Sequence, residues 1–471
     1  MTHLAESWIR LLNPNQLGKS TTITSCGPTD DQGRNPFEKD RDLVVFSFAF
    51  RRLQNKTQVH PLPNNDHVHN RLTHSMEVAS VARSLGTAVG NVISKREADS
   101  FSEREISYHT FSSISQAASL AHDIGNPPYG HSGEDSIQAW FQDNASVIKH
   151  MDPRYQADLL NFEGNAQGFR IITQLENDQF NGGLHLSYGT LGAFLKYPSP
   201  AYLVPEDNNR IIANKKNGYF LAEKNYIDEI QENINLPVLN NNTASLARHP
   251  LVYLVEAADD ICYATVDIED GFLLGYIPFD EAEEILGRFL TPEQRQWAHK
   301  KKYENAIVQS MRAVAIGNLV SEAKDAFLAN EEKLLSGELH NDLLQHITHA
   351  DDLENTKTQA RRLIFQSKRK ILMELGGDKI ITGLMDILTE VVEPLSHNGW
   401  NIENLPRRPK KLCRLLDQSF RGQPINYFSH IRDLPEDQQL YEGYLRITDF
   451  ISGMTDRYAA NMYRELMGHK A

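Results

Sequence analysis

The sequence predicts an all-α protein with at most one minor β-hairpin. Two patterns carry that prediction. Apolar residues recur at helical spacing through most of the chain: His74, Val78, Val81, Leu85 and Val89 fall three or four apart and share one face. Strand character is confined to Ile211–Ala213 and Tyr219–Leu221, short segments separated by a stretch containing Lys-Asn-Gly.

Taken in order, residues 1–35 read as a short helix and a polar loop. Residues 36–60 fit one helix, with Phe46, Phe50 and Leu53 on one side and Arg51, Arg52 and Lys56 on the other. Residues 61–71 (PLPNNDHVHNR) carry two prolines and three asparagines, which exclude regular helix. Helices follow from Leu72, over 112–124 and from about Ser132, with the NPPYG loop before the last because consecutive prolines forbid helix. Later helical stretches are 166–178, 185–196, 223–234, 245–268, 279–288, 292–331, 338–347, 355–375, 378–394, 408–419 and 436–466. Residues 330–357 are the most polar late segment and read as an inserted loop or a flexible edge.

Bulk properties narrow the function classes. The chain has 471 residues, enough for one large domain or several ordinary ones. Hydrophobic residues at 40% and charged residues at 23% are near globular values and argue against disorder. A net charge of −14 repels polyanions over most of the surface, so a bound nucleotide has to be held by metal ions or local cations. Arg361–Lys370 and Arg407–Arg414 are two such cationic clusters, each equally ordinary as a solvated helix face. Cys26, Cys262 and Cys413 show no paired spacing, which fits a reducing compartment. There is no basic-then-apolar leader and no run of about 18 apolar residues. The expectation is a soluble cytoplasmic protein with no membrane partner.

The chemistry concentrates around LAHDIGNPPYGH. Neighbours on a helix point about 100° apart, so His122 and Asp123 can share an ion only where the chain turns away. Gly125 and the two prolines impose that turn. An imidazole nitrogen with a carboxylate oxygen suits Mn, Fe, Zn, Ni or, less well, Mg. His74 lies on the apolar face of its own helix, where a buried imidazole needs a partner; a hydrogen-bonded core histidine is the plain alternative. Asp259 follows the apolar run Leu251–Ala258, and a carboxylate there is costly unless paired or metal-bound. Together the four make a single-metal set with room for water and substrate.

Two further layers surround that set. His131 and Glu134 are spaced i, i+3 and share a helix face, as a proton-transfer dyad would. Ordinary helix-start chemistry explains the same residues equally well. Asp259, Tyr263 and Asp267 run i, i+4, i+8; a flat phenol and a carboxylate along one wall suit a sugar with a free hydroxyl, while a solvent face with an incidental tyrosine is the plainer reading.

The segments RNPFEKDRDLVVFSFAFRRLQNKTQV, NRLTHSMEVA, LAHDIGNPPYGHSGE, NFEGNAQGFRI, LGAFLKYP, RHPLVYLVEAADDICYATVDIEDG and DFISGMTDRYA span almost the whole chain. In that order they resemble the deoxyguanosine triphosphate triphosphohydrolase family of the HD superfamily. The resemblance implies an HD-domain helical fold with appended helices: an N-terminal helix and loop over 1–35, an HD catalytic core over 36–275, and a helical part over 276–471 that completes the site. It implies that water attacks the α-phosphorus of dGTP, or of other dNTPs, releasing deoxynucleoside and tripolyphosphate. It implies one divalent metal ion, Mn or Mg favoured over Fe, Ni or Zn, on His74, His122, Asp123 and Asp259, with Asp260 the ambiguous neighbour. His131 and Glu134 fall on the family's catalytic pair. Tyr263 and Asp267 fall where the 3′-hydroxyl is held. Arg51, Gln54, Arg71 and Lys196 fall in segments that contact triphosphate or sugar. Family members assemble as homo-oligomers, often hexamers, and some respond to an activator dNTP or bind single-stranded DNA. A different HD phosphohydrolase would share the ligands but not HSGE or NFEGNAQ; a regulatory protein with a vestigial site would not need the full set.

Overall fold

A computed structural model of the chain describes residues 2–28, 33–58, 69–177, 181–205, 211–239, 244–365, 368–419 and 427–469. Among these residues the fold is all-α. Four isolated β-bridges occur and no sheet forms. The expected hairpin is absent. Ile212–Asn214 and Leu221–Glu223 are turns of 3₁₀ helix, and Tyr219 bridges Pro200 instead of its neighbour. At Gly218 the chain packs so tightly on Tyr197 that a Cβ would lie 2.0 Å from the Tyr197 carbonyl oxygen, so this stretch follows the main body rather than folding on itself.

Three helices frame the site. Arg71–Arg96 starts at an Asn70 capping box, and Tyr108–Ala121 starts at a Ser107 capping box. They run antiparallel at very short range: a Cβ on Gly86 would meet the Phe111 carbonyl oxygen at 2.8 Å, and one on Gly90 the Tyr108 Cα at 2.9 Å. Pro250–Leu273 packs against both, with proline at its first turn and the His249 side chain accepting from Leu251 N–H.

The apolar interior forms two main clusters. One joins the N-terminal helix, the three framing helices and Glu304–Ala329. The other joins His131–Asp143, Pro153–Leu160, Lys368–Thr389 and the last two helices, Glu436–Ser452 and Asp456–Leu466. The HD loop crosses from one cluster to the other. No helix is long and apolar enough to cross a membrane among the described residues.

Several long helices predicted from periodicity are broken. The 36–60 helix stops at Phe46; Ser47 accepts from Phe50 N–H and starts a new short helix, Phe48–Arg52. After the break Phe50 and Leu53 are buried while Phe46 faces solvent, and Lys56 is buried while Arg51 is exposed, so the two predicted sides do not hold together. The 292–331 stretch divides into Pro292–Ala298 and Glu304–Ala329, and the 436–466 stretch divides at Gly453, with Thr455 capping the second part. In the 355–375 stretch, Ala350–Ala360 continues as a π-helical segment over Arg361–Phe365 and Lys368–Thr389 follows, with residues 366–367 outside the described residues. The polar 330–357 segment is not a loose edge: Leu334, Leu339, Leu343, Leu344 and Leu353 are buried in the first cluster. In the predicted loop at 61–71, residues 61–68 lie outside the described residues.

Candidate active site

The helix Tyr108–Ala121 ends just before the HD pair, and the chain turns through Gly125 and the prolines. That turn brings His122 and Asp123 against His74, so that one ligand atom from each lies within 4.8 Å of the others. Asp259 Oδ1 lies 3.1 Å from His74 Nε2 and 3.7 Å from His122 Nε2. Asp123 Oδ1 lies 3.6 Å from His122 Nε2. The adjacent Asp260 turns away to receive Lys357 Nζ at 2.8 Å.

The donor set fits a divalent cation. His122 Nδ1 is 2.6 Å from the Ser119 carbonyl oxygen. A carbonyl only accepts, so Nδ1 carries a proton, and Nε2 is the atom left to meet a cation. That Nε2 is buried with no hydrogen-bond partner, between two carboxylates. Burial pushes the Asp123 carboxyl up, but the charges of Arg71, His122 and His74 outweigh it and hold it at about 2. Burial likewise raises Asp259, and the His74 hydrogen bond with the charges of His122 and His74 pulls it well below the usual carboxylate range. Both groups are anionic acceptors at neutral pH.

These side chains open on a cavity of about 320 Å³. Arg71, Lys196, Tyr263 and His131 line it with His122, Asp123 and Asp259. Arg71 donates to Asp123 Oδ2 at 2.9 Å. Lys196 Nζ is 3.4 Å from Glu256 Oε1, and Arg248 Nη1 lies 2.8 Å from Glu256 Oε2. His131 Nδ1 is 2.6 Å from Glu134 Oε2; the imidazole is 77% exposed and the carboxylate only 4%. Asp267 is buried below Tyr263 on the same helix, and burial keeps its carboxyl well above the usual range.

A profile of the "HD domain" matches residues 71–157, which carry His74, the HD pair and the His131–Glu134 turn. A "Deoxyguanosinetriphosphate triphosphohydrolase-like protein" of Pseudomonas aeruginosa is 39% identical over 474 residues, covering 98% of this chain and 99% of that protein. A protein of the same description from Synechocystis is 36% identical with equal coverage. A Yersinia pestis "Deoxyguanosinetriphosphate triphosphohydrolase" is 32% identical, over 92% of this chain and 93% of its own. The chain belongs to the deoxyguanosinetriphosphate triphosphohydrolase family. It is therefore a hydrolase built on an HD domain, a metal-dependent module.

Two residues named from the family's segments stand elsewhere. Arg51 lines a separate surface groove with Phe48, Arg52, Met454 and Tyr458, and Gln54 is exposed. The break at Ser47 sets their direction. Other groups reach the cavity without having been singled out. Asn126 lines it and donates to Asp123 Oδ1 at 2.5 Å. Gln58, Lys370 and Glu374 line it too, Lys370 from within the basic cluster at Arg361–Lys370. Lys216 Nζ binds Glu163 Oε2 at 2.7 Å and acts electrostatically on Glu134. Position could have flagged Asn126, inside the HD loop. Lys216 sits in the Lys-Asn-Gly stretch assigned to a hairpin turn, where no local pattern points to a site.

Proposed function

We propose that the chain hydrolyses dGTP, and other dNTPs with it, to deoxynucleoside and tripolyphosphate by water attack on the α-phosphorus. The observation that carries this reading is one cavity lined by His122, Asp123 and Asp259, by His131 with Glu134 bonded behind it, and by several cations. His74, His122, Asp123 and Asp259 would hold a divalent ion, Mn or Mg before Fe, Ni or Zn. Such an ion withdraws charge from phosphorus and makes water more acidic.

The chain's own residues do the rest. Arg71, Lys196 and Lys370 offer positive charge to a triphosphate that the acidic surface would otherwise repel. The Glu134 hydrogen bond and charge raise the His131 pKa. A protonated His131 can give its proton to the departing 5′-oxygen while Glu134 stabilises the imidazolium. Tyr263 offers a flat ring and a hydroxyl to the sugar, and Asp267 a second acceptor; Arg51 and Gln54 then act outside this cavity.

We read the protein as a cytoplasmic homo-oligomer, a hexamer by its resemblance, open to an activator dNTP or single-stranded DNA. The test is incubation with Mn or Mg and each dNTP, singly and in pairs, with products separated by chromatography. Deoxyguanosine and tripolyphosphate are expected from dGTP. Nucleoside monophosphate and pyrophosphate would sink the reading, and activity confined to mixtures would reveal an activator site.

A further inference from the structure

We propose that Asp456, at the start of the last helix, is a positioning residue for the reaction: it holds the loop that presents His131 to the cavity. The proposal rests on the reading of His131 as proton donor.

The loop is strained where Asp456 grips it. Tyr129 has φ +65°, a left-handed conformation that a bulky side chain adopts at a cost, and Gly130 follows at φ +63°. Strain of this kind persists only where the surroundings over-determine it. Asp456 Oδ1 accepts from Tyr129 N–H at 3.0 Å, and the Tyr129 hydroxyl donates to the Asp456 carbonyl oxygen at 3.2 Å. Both ends of Tyr129 are therefore tied to one residue. The other carboxylate oxygen, Oδ2, accepts from Thr57 N–H at 2.9 Å, so Asp456 also joins this loop to the segment after the Phe48–Arg52 helix.

Four more contacts close the clamp. The buried Lys56 ammonium donates to the Asn126 carbonyl oxygen at 2.5 Å and to the Ser452 carbonyl oxygen at 2.7 Å, tying the start of the loop to the penultimate helix. Arg71 packs on Gly130, where a Cβ would lie 2.5 Å from its guanidinium. Gly377 packs on the Tyr129 ring, where its own Cβ would lie 2.7 Å from the ring. His131 begins its helix immediately after Gly130, whose backbone carbonyl accepts the first N–H groups of that helix from Gly133 and Glu134. The backbone at Tyr129 and Gly130 therefore fixes where the imidazole emerges. Asp456 is 5% exposed and its two carboxylate oxygens are taken up by the backbone N–H groups of Tyr129 and Thr57, so its role runs through the loop.

The test is Asp456→Asn, which places an amide NH₂ against one of two backbone N–H donors. The readouts are kcat and KM for dGTP with Mn²⁺, alone and in a His131→Ala background, with thermal unfolding to report the fold. A small displacement of a catalytic group costs on the order of 100-fold. We expect kcat to fall about 10- to 100-fold, KM to change less than about 3-fold, and no further loss in the His131→Ala background, because residues that act through one another are non-additive. Full kcat in Asp456→Asn, or losses that multiply with His131→Ala, would overturn the proposal. Should Asp456→Asn not fold, Tyr129→Phe removes only the hydroxyl bond and should lower kcat by a few-fold, again not in the His131→Ala background; an additive or absent effect overturns it equally. An undiminished His131→Ala enzyme would refute the dyad itself, and is seen without reference to Asp456.

Discussion

Glu134 holds His131 from below while being held itself. One carboxylate oxygen lies 2.6 Å from His131 Nδ1, and the other accepts the Gly164 N–H at 2.8 Å. The buried carboxylate is held at both oxygens, and the exposed imidazole of His131 lines the cavity. A capping pair would aim the Glu134 carboxylate at the N–H groups of its own first turn. Here it spans two segments, with Lys216 and Glu163 beside it.

This arrangement predicts a pH dependence with a definite sign. The Glu134 hydrogen bond raises the His131 pKa, so the imidazolium persists above its ordinary value of about 6.5. Activity that uses this proton is present at lower pH and is lost as pH rises through the raised pKa. In Glu134→Gln the main cause of the shift is gone, and the alkaline limb of the kcat–pH profile should move to lower pH. An unchanged limb would remove His131 from the acid's role.

A metal effect on stability should be separable from activity. At a free Mn²⁺ concentration about 100 times the dissociation constant, binding to the folded state alone contributes about 2.7 kcal/mol. Calorimetric unfolding should therefore shift upward with Mn²⁺ and downward with a chelator. His122→Ala should abolish most of the shift, since the buried Nε2 faces the space between both carboxylates. An equal shift in that variant would place the ion elsewhere.

Gly125 permits a close crossing of two backbones. A Cβ there would lie 2.0 Å from the Gly164 carbonyl oxygen and 2.1 Å from Gly168 N, with no flexible side chain able to give way. Gly125→Ala should destabilise the protein by about 3 kcal/mol, at the upper end of overpacking costs. Urea denaturation measures this, and a midpoint equal to the parent's would contradict the crossing.

Arg170 neutralises a buried acidic cluster. Its guanidinium is fully buried and pairs with Glu223 at 2.6 Å, Glu442 at 2.5 Å and Asp449 at 2.9 Å. Removing one partner of a buried pair costs roughly 3–5 kcal/mol because the remaining charges are stranded. Arg170→Ala should lose at least that much, most of it at high pH, where the stranded carboxylates ionise. Loss that is independent of pH would point to packing instead of charge.

Sequence alone determined the helical class, because apolar spacing of three and four is a local property that each helix carries with it. It also determined that the HD pair stands at a helix end, because Gly125 and two prolines stop any helix there. The choice between Asp259 and Asp260 was not local. Both lie on one helix about 100° apart, and only packing against His74 on one side and Lys357 on the other sets which faces the cavity. The same holds for Arg51, turned into another groove by a break at Ser47 that periodicity smooths over. Lys216 and Asp456 approach the His131 loop from far away in sequence, and no pattern at either position announces it. Local spacing sets which face of a helix is apolar; rotation of that face, and what meets it across the chain, are settled by burial in the tertiary structure.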